Sequence, residues 1–205
     1  MFNRTEQQII ENWSLLDNPV VTICCTTYNH EEFITDVIEG FLIQVTDFPF
    51  EIVIRDDCSI DNTKNIINRF YQQYPLIIKP IYEDENGFTK GIKPMSEVYK
   101  RAKGKYLAIC DGDDYWSDPS KLQQQVDFLE NNSDYVITYT EVQAFNEYGE
   151  IDSYVGGATH DLEAIELKKS FSINTSTACF RNVINELPQE YQFTKCGDLF
   201  IWSLL

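Results

Sequence analysis

Three carboxylates fall within four residues at Asp111, Asp113 and Asp114, directly after an apolar run typical of a buried strand. In an extended segment residues two apart face the same way, so Asp111 and Asp113 can turn toward one ion. Gly112 between them would let a ligand approach the backbone closely. Mg²⁺ and Mn²⁺ prefer such oxygen ligands and often complete their coordination with substrate phosphates. The alternative is an acidic surface turn in which Asp118 caps the next helix.

The elements that would position this acidic cluster alternate along the first two thirds of the chain. Short apolar runs predict strands over 20–25, 50–54, 76–82 and 105–110. Amphipathic patterns between and after them predict helices over 31–42, 62–74, 94–103 and 119–130. This order predicts an α/β fold, Rossmann-like, with a mostly parallel central sheet flanked by helices on both faces.

Right-handed crossovers in such a sheet place every strand-to-helix loop along one edge, where open α/β sheets bind their ligands. The loops 26–29, 56–59 and 111–114 follow the first, second and fourth predicted strands. We therefore expect these three loops to converge.

The last third of the chain is less regular. A strand is predicted over 135–139, a hairpin turning at 147–150, a further strand over 177–180 and a helix from residue 197 to the end. The 205 residues fit a single domain, because one core of this size can be buried by one sheet and its helices.

The charge balance excludes one class of partner. Asp and Glu total 33 against 16 Lys and Arg, which gives a net charge of -17. Such a field repels polyanions, so nucleic acid is not expected as a partner. Binding an anionic nucleotide would require a local positive charge, which a divalent cation can supply.

The cysteines and the apolar segments indicate a compartment. None of the six cysteines forms a C-x-x-C pair, and most lie in apolar runs where they are expected to be buried thiols. The chain shows no apolar leader and no run of roughly 20 apolar residues. A cytoplasmic protein without a transmembrane segment is the expectation.

Three motifs in register carry a resemblance to a known family. They are Thr26-Thr27-Tyr28-Asn29 after the first strand, the segment 55–63 after the second, and the segment 104–116 across the fourth. Together they resemble the nucleotide-binding half of the family 2 glycosyltransferases, which have the GT-A fold. The resemblance covers about residues 20–140, and this order of motifs is far more specific than any one of them.

The resemblance implies roles for individual residues. Thr26 and Tyr28 match first-loop contacts to the base and ribose of a nucleotide, and Asp57 matches the acid that reads the base. Asp111, Gly112 and Asp113 match the motif that binds the metal and the ribose, with Asp114 adjacent as a further ligand, while Trp116 would shape the sugar pocket. Two of these residues could instead be structural: Asp57 as a loop cap beside Ser59 and Asp61, and Trp116 as rim packing.

The segment 195–202 resembles the acidic motif that supplies the catalytic base of the family at the start of a helix. Asp198 is therefore the candidate base, and a plain helix N-cap is its alternative. Many relatives carry an Arg that helps to hold the diphosphate, but Met95 stands at the matching position with Lys93 two residues away.

The implied activity is transfer of a sugar, with inversion, from a nucleoside diphosphate-sugar to an acceptor hydroxyl. A UDP-sugar is the expected donor, a glycan or lipid-linked molecule the expected acceptor, and Mn²⁺ or Mg²⁺ the expected cofactor. Residues 20–140 would form the donor half and 141–205 the acceptor half, which is expected to be truncated. The resemblance also implies polysaccharide or cell-surface glycan synthesis, with peripheral association at the inner face of the membrane.

Two other functions fit the same pattern. A nucleotidyltransferase would share the sheet, the metal and the nucleotide, but it needs a Gly-rich basic loop after the first strand, and residues 26–32 are neither. A non-catalytic module that binds a nucleotide or a sugar is the second possibility.

Overall fold

The computed structural model describes residues 3–14, 18–146, 148–152, 155–169, 172–184 and 186–205. Its strands are β1 (Val21–Thr27), β2 (Phe50–Asp56), β3 (Ile78–Tyr82), β4 (Tyr106–Ile109), β5 (Ile137–Thr138), β6 (Ala144–Asn146), β7 (Gly149–Ile151) and β8 (Cys179–Arg181). Its helices are α1 (Glu6–Ile10), α2 (Ile34–Leu42), α3 (Thr63–Gln73), α4 (Met95–Arg101), α5 (Lys121–Asn131), α6 (Ala164–Lys168) and α7 (Gly197–Leu204). Short 3-10 turns cover Phe88–Lys90, Thr175–Thr177 and Gln189–Phe193.

One sheet of six strands organises the molecule, in the order β3-β2-β1-β4-β8-β5. The four strands from β3 to β4 are parallel, and β8 pairs antiparallel with both β4 and β5. The prediction of a mostly parallel α/β sheet flanked by helices is therefore confirmed. The position of β8 between β4 and β5 adds an antiparallel element that the sequence pattern did not specify.

The alternation of side chains along β1 divides the core between the two faces of the sheet. Ile23 and Cys25 pack in one cluster with residues of α2, α3 and α5. Cys24 points to the other face and packs in a second cluster with residues of α4, α6 and α7. A strand covered on both faces explains why the run from Val21 onward is apolar at successive positions rather than at every second one.

The strands begin and end close to the predicted positions, with two informative differences. The first strand continues through Thr27 because β2 continues beside it, so that Thr27 pairs with Asp56 in the parallel ladder. The predicted strand over 135–139 shrinks to Ile137–Thr138 at the edge of the sheet. The predicted hairpin forms as β6 and β7, although Glu147 of its predicted turn lies outside the described residues.

All six cysteines are free thiols, and Cys24, Cys25, Cys110 and Cys179 are buried, as predicted from the apolar runs around them. Of the helices that the structure describes, none is long and apolar enough to cross a bilayer.

A buried polar cluster connects β1, β2 and the turn before β4. The hydroxyl of Thr22 donates to Glu51 Oε1 at 2.7 Å and accepts from the backbone N–H of Gly104 at 2.8 Å. The N–H of Lys103 donates to the same Glu51 oxygen at 3.0 Å. Both Thr22 and Glu51 are buried, so these hydrogen bonds compensate for the lost hydration of a carboxylate and two amides.

Thr22→Val is expected to lower the free energy of unfolding by about 1–3 kcal/mol, because Glu51 and Gly104 would each lose a buried hydrogen-bond partner. Urea unfolding measures this change. Thr140→Val, at an exposed position, is the matched control and should change stability by less than about 0.5 kcal/mol. Equal stabilities for the two variants would contradict the role given to this cluster.

Candidate functional site

The three predicted loops meet at the carboxyl edge of the parallel strands. The N–H of Gly112 donates to the carbonyl of Thr26 at 2.9 Å, and the N–H of Asn29 donates to Ser59 Oγ at 2.9 Å. A cavity of about 360 Å³ opens between them, lined by Thr26, Thr27, Tyr28, His30, Asp57, Asn86, Phe88, Thr89, Pro94, Asp111 and Asp113. The expected convergence of the loops is confirmed, and a further segment, 86–94, closes the cavity.

Asp111 is held at this cavity by the end of β1. The hydroxyl of Thr26 donates to Asp111 Oδ1 at 2.7 Å, which fixes the carboxylate relative to the neighbouring strand. Burial raises the pKa of Asp111 above its ordinary value, and the charges of Asp113, Asp114 and Asp198 raise it further, while the Thr26 hydrogen bond opposes them. Asp111 is thus a half-buried carboxylate whose charge is only partly compensated by the protein.

Asp113 and Asp114 complete the acidic cluster in different surroundings. The side chain of Asp113 is 56% exposed, and its carboxylate lies 4.0 Å from His30 Nε2. Burial raises the pKa of Asp114, and the charge of Asp113 adds to that effect, while a hydrogen bond from Ser176 lowers it. Within the described ranges, no Lys or Arg lies within 4.0 Å of these carboxylates, and no three acidic, His or Cys side chains already converge as a metal cage.

Gly112 is required by a close approach of protein atoms. A Cβ built on this residue would lie 2.5 Å from Thr27 Oγ1 and 2.8 Å from His30 Nδ1. The lack of a side chain therefore lets the acidic loop pack directly on the loop after β1. The role expected for Gly112 toward a ligand stays a prediction, since Gly112 is not among the residues that line the cavity.

Trp116 anchors the far end of the acidic loop. Its side chain is 5% exposed, its ring packs edge-on against Phe41 with centroids 4.9 Å apart, and its Nε1 donates to the Ser176 carbonyl at 2.7 Å. Lys121 Nζ lies 4.2 Å from the ring centroid, and burial lowers the pKa of this lysine to about 8. These contacts favour core packing, whereas the sugar-pocket role of Trp116 stays a prediction.

Asp57 faces the cavity from the end of β2, and its carboxylate holds the segment that follows β3. Oδ1 accepts from Arg55 Nη2 at 2.7 Å and from the N–H of Gly87 at 2.9 Å, and Oδ2 accepts from the N–H of Phe88 at 3.0 Å. A loop cap beside Ser59 is therefore the wrong assignment for this residue, because Ser59 donates to Asp56 instead.

Asp198 lies near the acidic cluster although 87 residues separate it from Asp111. Its charge is among those that raise the pKa of Asp111, and it also raises that of Tyr191 after the larger effect of burial. Cys196 is the N-cap of α7 and makes no side-chain cap, so an N-cap role for Asp198 is wrong. The carboxylate instead accepts from Thr175 Oγ1 at 3.4 Å.

Side-chain contacts also define the roles of Asp118 and Lys93. Asp118 lies two residues before Ser120, the N-cap of α5, and accepts from the N–H and the hydroxyl of that serine rather than capping the helix. Lys93 donates from Nζ to the carbonyl of Thr194, which ties the segment before α4 to the segment before α7, and Met95 is buried.

The model of the family described as glycosyl transferase family 2 matches residues 22–187, which is most of the chain. The chain belongs to this family. Membership favours a transferase over a nucleotidyltransferase or a non-catalytic binding module.

Individual family 2 relatives match only part of their own length. A segment of 134 residues is 39% identical to the uncharacterized protein Rv1520 of Mycobacterium tuberculosis and covers 65% of this chain and 38% of that protein. A segment of 112 residues is 36% identical to the Escherichia coli protein WfaP, named a UDP-Glc:alpha-D-GlcNAc-diphosphoundecaprenol beta-1,3-glucosyltransferase, and covers 54% of this chain and 41% of that protein. The chain thus matches less than half the length of either relative.

Solved structures share the fold of this family 2 chain. TarS 1-349 of S. aureus in complex with UDP superposes with a TM-score of 0.67 at 20% identity and covers 90% of this chain and 54% of that one. The mannosyltransferase PcManGT of Pyrobaculum calidifontis, in complex with GDP-Man and Mn²⁺, gives a TM-score of 0.57 at 19% identity and covers 84% and 48%. The expected GT-A fold is confirmed by these likenesses.

The sequence pattern did not identify the residues of segment 86–94 that close the cavity. Asn86, Phe88 and Thr89 line the cavity, yet no motif marks them. The segment is held there by hydrogen bonds to Asp57 from the side chain of Asn86 and the N–H groups of Gly87 and Phe88. Arg55 lies in the motif 55–63, which by itself assigns no role to this residue. Its position directly after the three apolar residues 52–54 was a usable signal, because a charged side chain in a buried strand requires a partner.

Asp111→Asn is expected to raise the melting temperature when no divalent cation is present, by about 2–4 °C for each kcal/mol gained. The pKa of Asp111 is raised in the folded state, so its ionisation costs stability as pH rises from the ordinary value of 3.8 through the folded pKa. The gain from Asn should be small near pH 3.8 and largest above the folded pKa.

Thermal unfolding in EDTA across this pH range measures the difference. Asp134→Asn, at an exposed position, is the control and should give no such trend. A stabilisation by Asp111→Asn that does not grow with pH would contradict the burial of an uncompensated charge.

Proposed function

We propose that this family 2 chain binds a nucleoside diphosphate-sugar together with Mn²⁺ or Mg²⁺ and transfers the sugar to an acceptor hydroxyl with inversion. One observation carries the proposal. Asp111 and Asp113 line one cavity, and the charges of Asp114 and Asp198 also act on Asp111. No described Lys or Arg lies within 4.0 Å of Asp111. Neutralising that charge requires a bound cation, and a bound diphosphate would share it.

The acidic cluster fits a cation that shares its coordination with a substrate. Mg²⁺ in nucleotide sites is commonly held by one or two carboxylates and completed by phosphate oxygens and water. Asp111, fixed by Thr26, and the exposed Asp113 both line the cavity, and Asp114 is the adjacent third carboxylate. A cation held there would neutralise the negative charge that develops on the departing diphosphate. The Mn²⁺ in the PcManGT complex supports this assignment.

Tyr28 and Asp57, which also line the cavity, fit a nucleoside. Tyr28 is 40% exposed and offers a ring face for stacking, and Asp57 offers a carboxylate that can accept from a base N–H. UDP in the TarS complex and UDP-Glc in the name of WfaP support a UDP-sugar as the donor. The base and the diphosphate would then span from Asp57 to Asp111.

Asp198 is the proposed general base. Its carboxylate would take the proton of the acceptor hydroxyl while the acceptor oxygen bonds to the anomeric carbon. The bond from that carbon to the diphosphate oxygen breaks at the same time, and the diphosphate leaves with the electron pair. A single displacement of this kind inverts the anomeric centre. Thr175 would orient Asp198 through the hydrogen bond to Oδ2.

The acceptor is proposed to be a glycan or a lipid-linked sugar used in cell-surface polysaccharide synthesis. The name of WfaP, whose acceptor is a sugar on diphosphoundecaprenol, supports this class. A protein that transfers a sugar to a lipid-linked acceptor would act in the cytoplasm at the inner face of the membrane.

Asp113→Ala is expected to weaken Mn²⁺-dependent nucleotide binding at least roughly tenfold, which corresponds to about 1.4 kcal/mol. Stability should change little, because the side chain is largely exposed. Calorimetric titrations with UDP, GDP and dTDP, each with and without Mn²⁺, measure the effect, and Asp134→Ala serves as the control. Unchanged metal-dependent affinity in Asp113→Ala would reject the proposed metal site.

Asp198→Asn in the full-length protein is expected to lower turnover by roughly 10²–10⁴-fold, the range lost when a general base is removed. The dissociation constant of the donor should stay the same, because the base acts on the acceptor. Steady-state kinetics and donor titration separate the two effects. Turnover equal to that of the parent protein would reject Asp198 as the base.

A further inference from the structure

Arg55 is a buried cation at the edge of the cavity. Its side chain is 1% exposed and lies at the end of β2, which is otherwise apolar apart from Glu51 and Asp56. Its Nε donates to Glu83 Oε1 at 2.9 Å and its Nη2 donates to Asp57 Oδ1 at 2.7 Å. The rigid fork of a guanidinium, fixed at Nε by Glu83, directs Nη2 at one chosen oxygen of Asp57.

The acceptors of Asp57 can be counted. An ionised carboxylate offers about four lone-pair sites, two on each oxygen. Arg55 Nη2 and the N–H of Gly87 occupy both sites of Oδ1, and the N–H of Phe88 occupies one site of Oδ2. A single acceptor site therefore remains for a ligand in the cavity that Asp57 lines, and it is on Oδ2.

Gly87 packs closely against the side chains of Arg55 and Asp57, so the position of the backbone is part of how the acceptor sites of Asp57 are filled. A Cβ at residue 87 would lie 2.8 Å from Arg55 Nη2 and 3.1 Å from Asp57 Oδ1. A larger residue would displace either the segment or the guanidinium of Arg55. The segment that closes the cavity is therefore packed directly on the Arg55 and Asp57 side chains.

The bases differ in the number of hydrogen-bond acceptors that they require from a carboxylate. Uracil and thymine present one imide N–H between two carbonyls, which a single acceptor satisfies. Guanine presents two adjacent donors, and satisfying both takes both oxygens of a carboxylate. Cytosine and adenine present a ring nitrogen with a lone pair beside one donor, and that lone pair would face the carboxylate oxygen. A buried donor without an acceptor is costly, so the number of free acceptors discriminates among these bases.

We propose that Arg55 determines which base the donor carries: by occupying Oδ1 of Asp57 it leaves one acceptor, which selects a base with a single imide N–H. This inference rests on the proposed binding of a nucleoside diphosphate-sugar with its base at Asp57. Arg55 acts through Asp57 and is a positioning residue. Uracil and thymine share the selected chemistry.

Calorimetric titration of the parent protein with UDP, dTDP, GDP, CDP and ADP in Mn²⁺ is the first test. UDP or dTDP should bind at least roughly tenfold more tightly than the other three, a difference of about 1.4 kcal/mol. The comparison of UDP with dTDP then identifies which imide base is preferred. Binding of GDP as tight as that of UDP would overturn the inference and leave the proposed function standing. Failure of all five nucleotides to bind would reject the proposed function and this inference with it.

Arg55→Met tests the residue itself. The released Oδ1 can then accept the second donor of guanine, so GDP should bind more tightly than to the parent and the ratio of UDP to GDP affinity should fall at least roughly tenfold. A purely structural loss of the 86–94 segment would weaken both nucleotides. Arg69→Met, the same change on the exposed side of α3, should leave both affinities unchanged. An unchanged ratio, or a loss of GDP affinity in Arg55→Met, would overturn the inference.

Asp57→Asn keeps the test decisive if Arg55→Met does not fold. The amide oxygen can stay with Arg55 and Gly87, so that the amide nitrogen replaces Oδ2. The N–H of Phe88 then loses its acceptor, and the cavity meets a donor in place of the free acceptor. Affinity for UDP should fall at least roughly tenfold relative to that for CDP, whose ring nitrogen accepts from such a donor. A ratio of UDP to CDP affinity equal to that of the parent would overturn the inference.

Discussion

Repulsion among carboxylates at the edge of the sheet is the constraint on which the candidate site depends. The charges of Asp113, Asp114 and Asp198 all act on Asp111, in a chain that already carries a net charge of -17. Unfolding would separate these charges, so the fold must hold them together at a cost in stability. The parallel strands do this by bringing the loops after β1 and β4 to one edge, where the hydroxyl of Thr26 fixes Asp111.

Asp57 and Asp111 both line the cavity, and the protein compensates their charges in opposite ways. Arg55 neutralises Asp57 within the protein, and the N–H groups of Gly87 and Phe88 occupy two more of its acceptor sites, which leaves one site on Oδ2. Asp111 has no described cationic partner and receives a single hydroxyl hydrogen bond. Asp57 is therefore already neutralised and suited to recognition by its remaining hydrogen-bond acceptor, while the charge of Asp111 is left for a ligand to neutralise.

Much of the fold and part of the site could be predicted from the sequence. The strands β1, β2 and β4 are apolar at successive positions because both of their faces are covered, and this local signal also located the loops that carry Thr26, Asp57 and Asp111. The place of β8 could not be predicted, because its three residues are ordered by pairing with strands far away in the sequence. The hydrogen-bond partners of Asp57 could not be predicted for the same reason, since Gly87 and Phe88 are 30 and 31 residues away in the sequence.

The insertion of β8 between β4 and β5 joins the last third of the chain to the parallel strands in a single hydrogen-bonded sheet. A fragment that stopped after residue 140 would leave β4 with an open, apolar edge, and such an edge invites pairing between molecules and aggregation. These two parts are therefore not interchangeable modules. Recombination between relatives that replaced residues 141–205 would have to supply a strand that pairs with the same edge of β4.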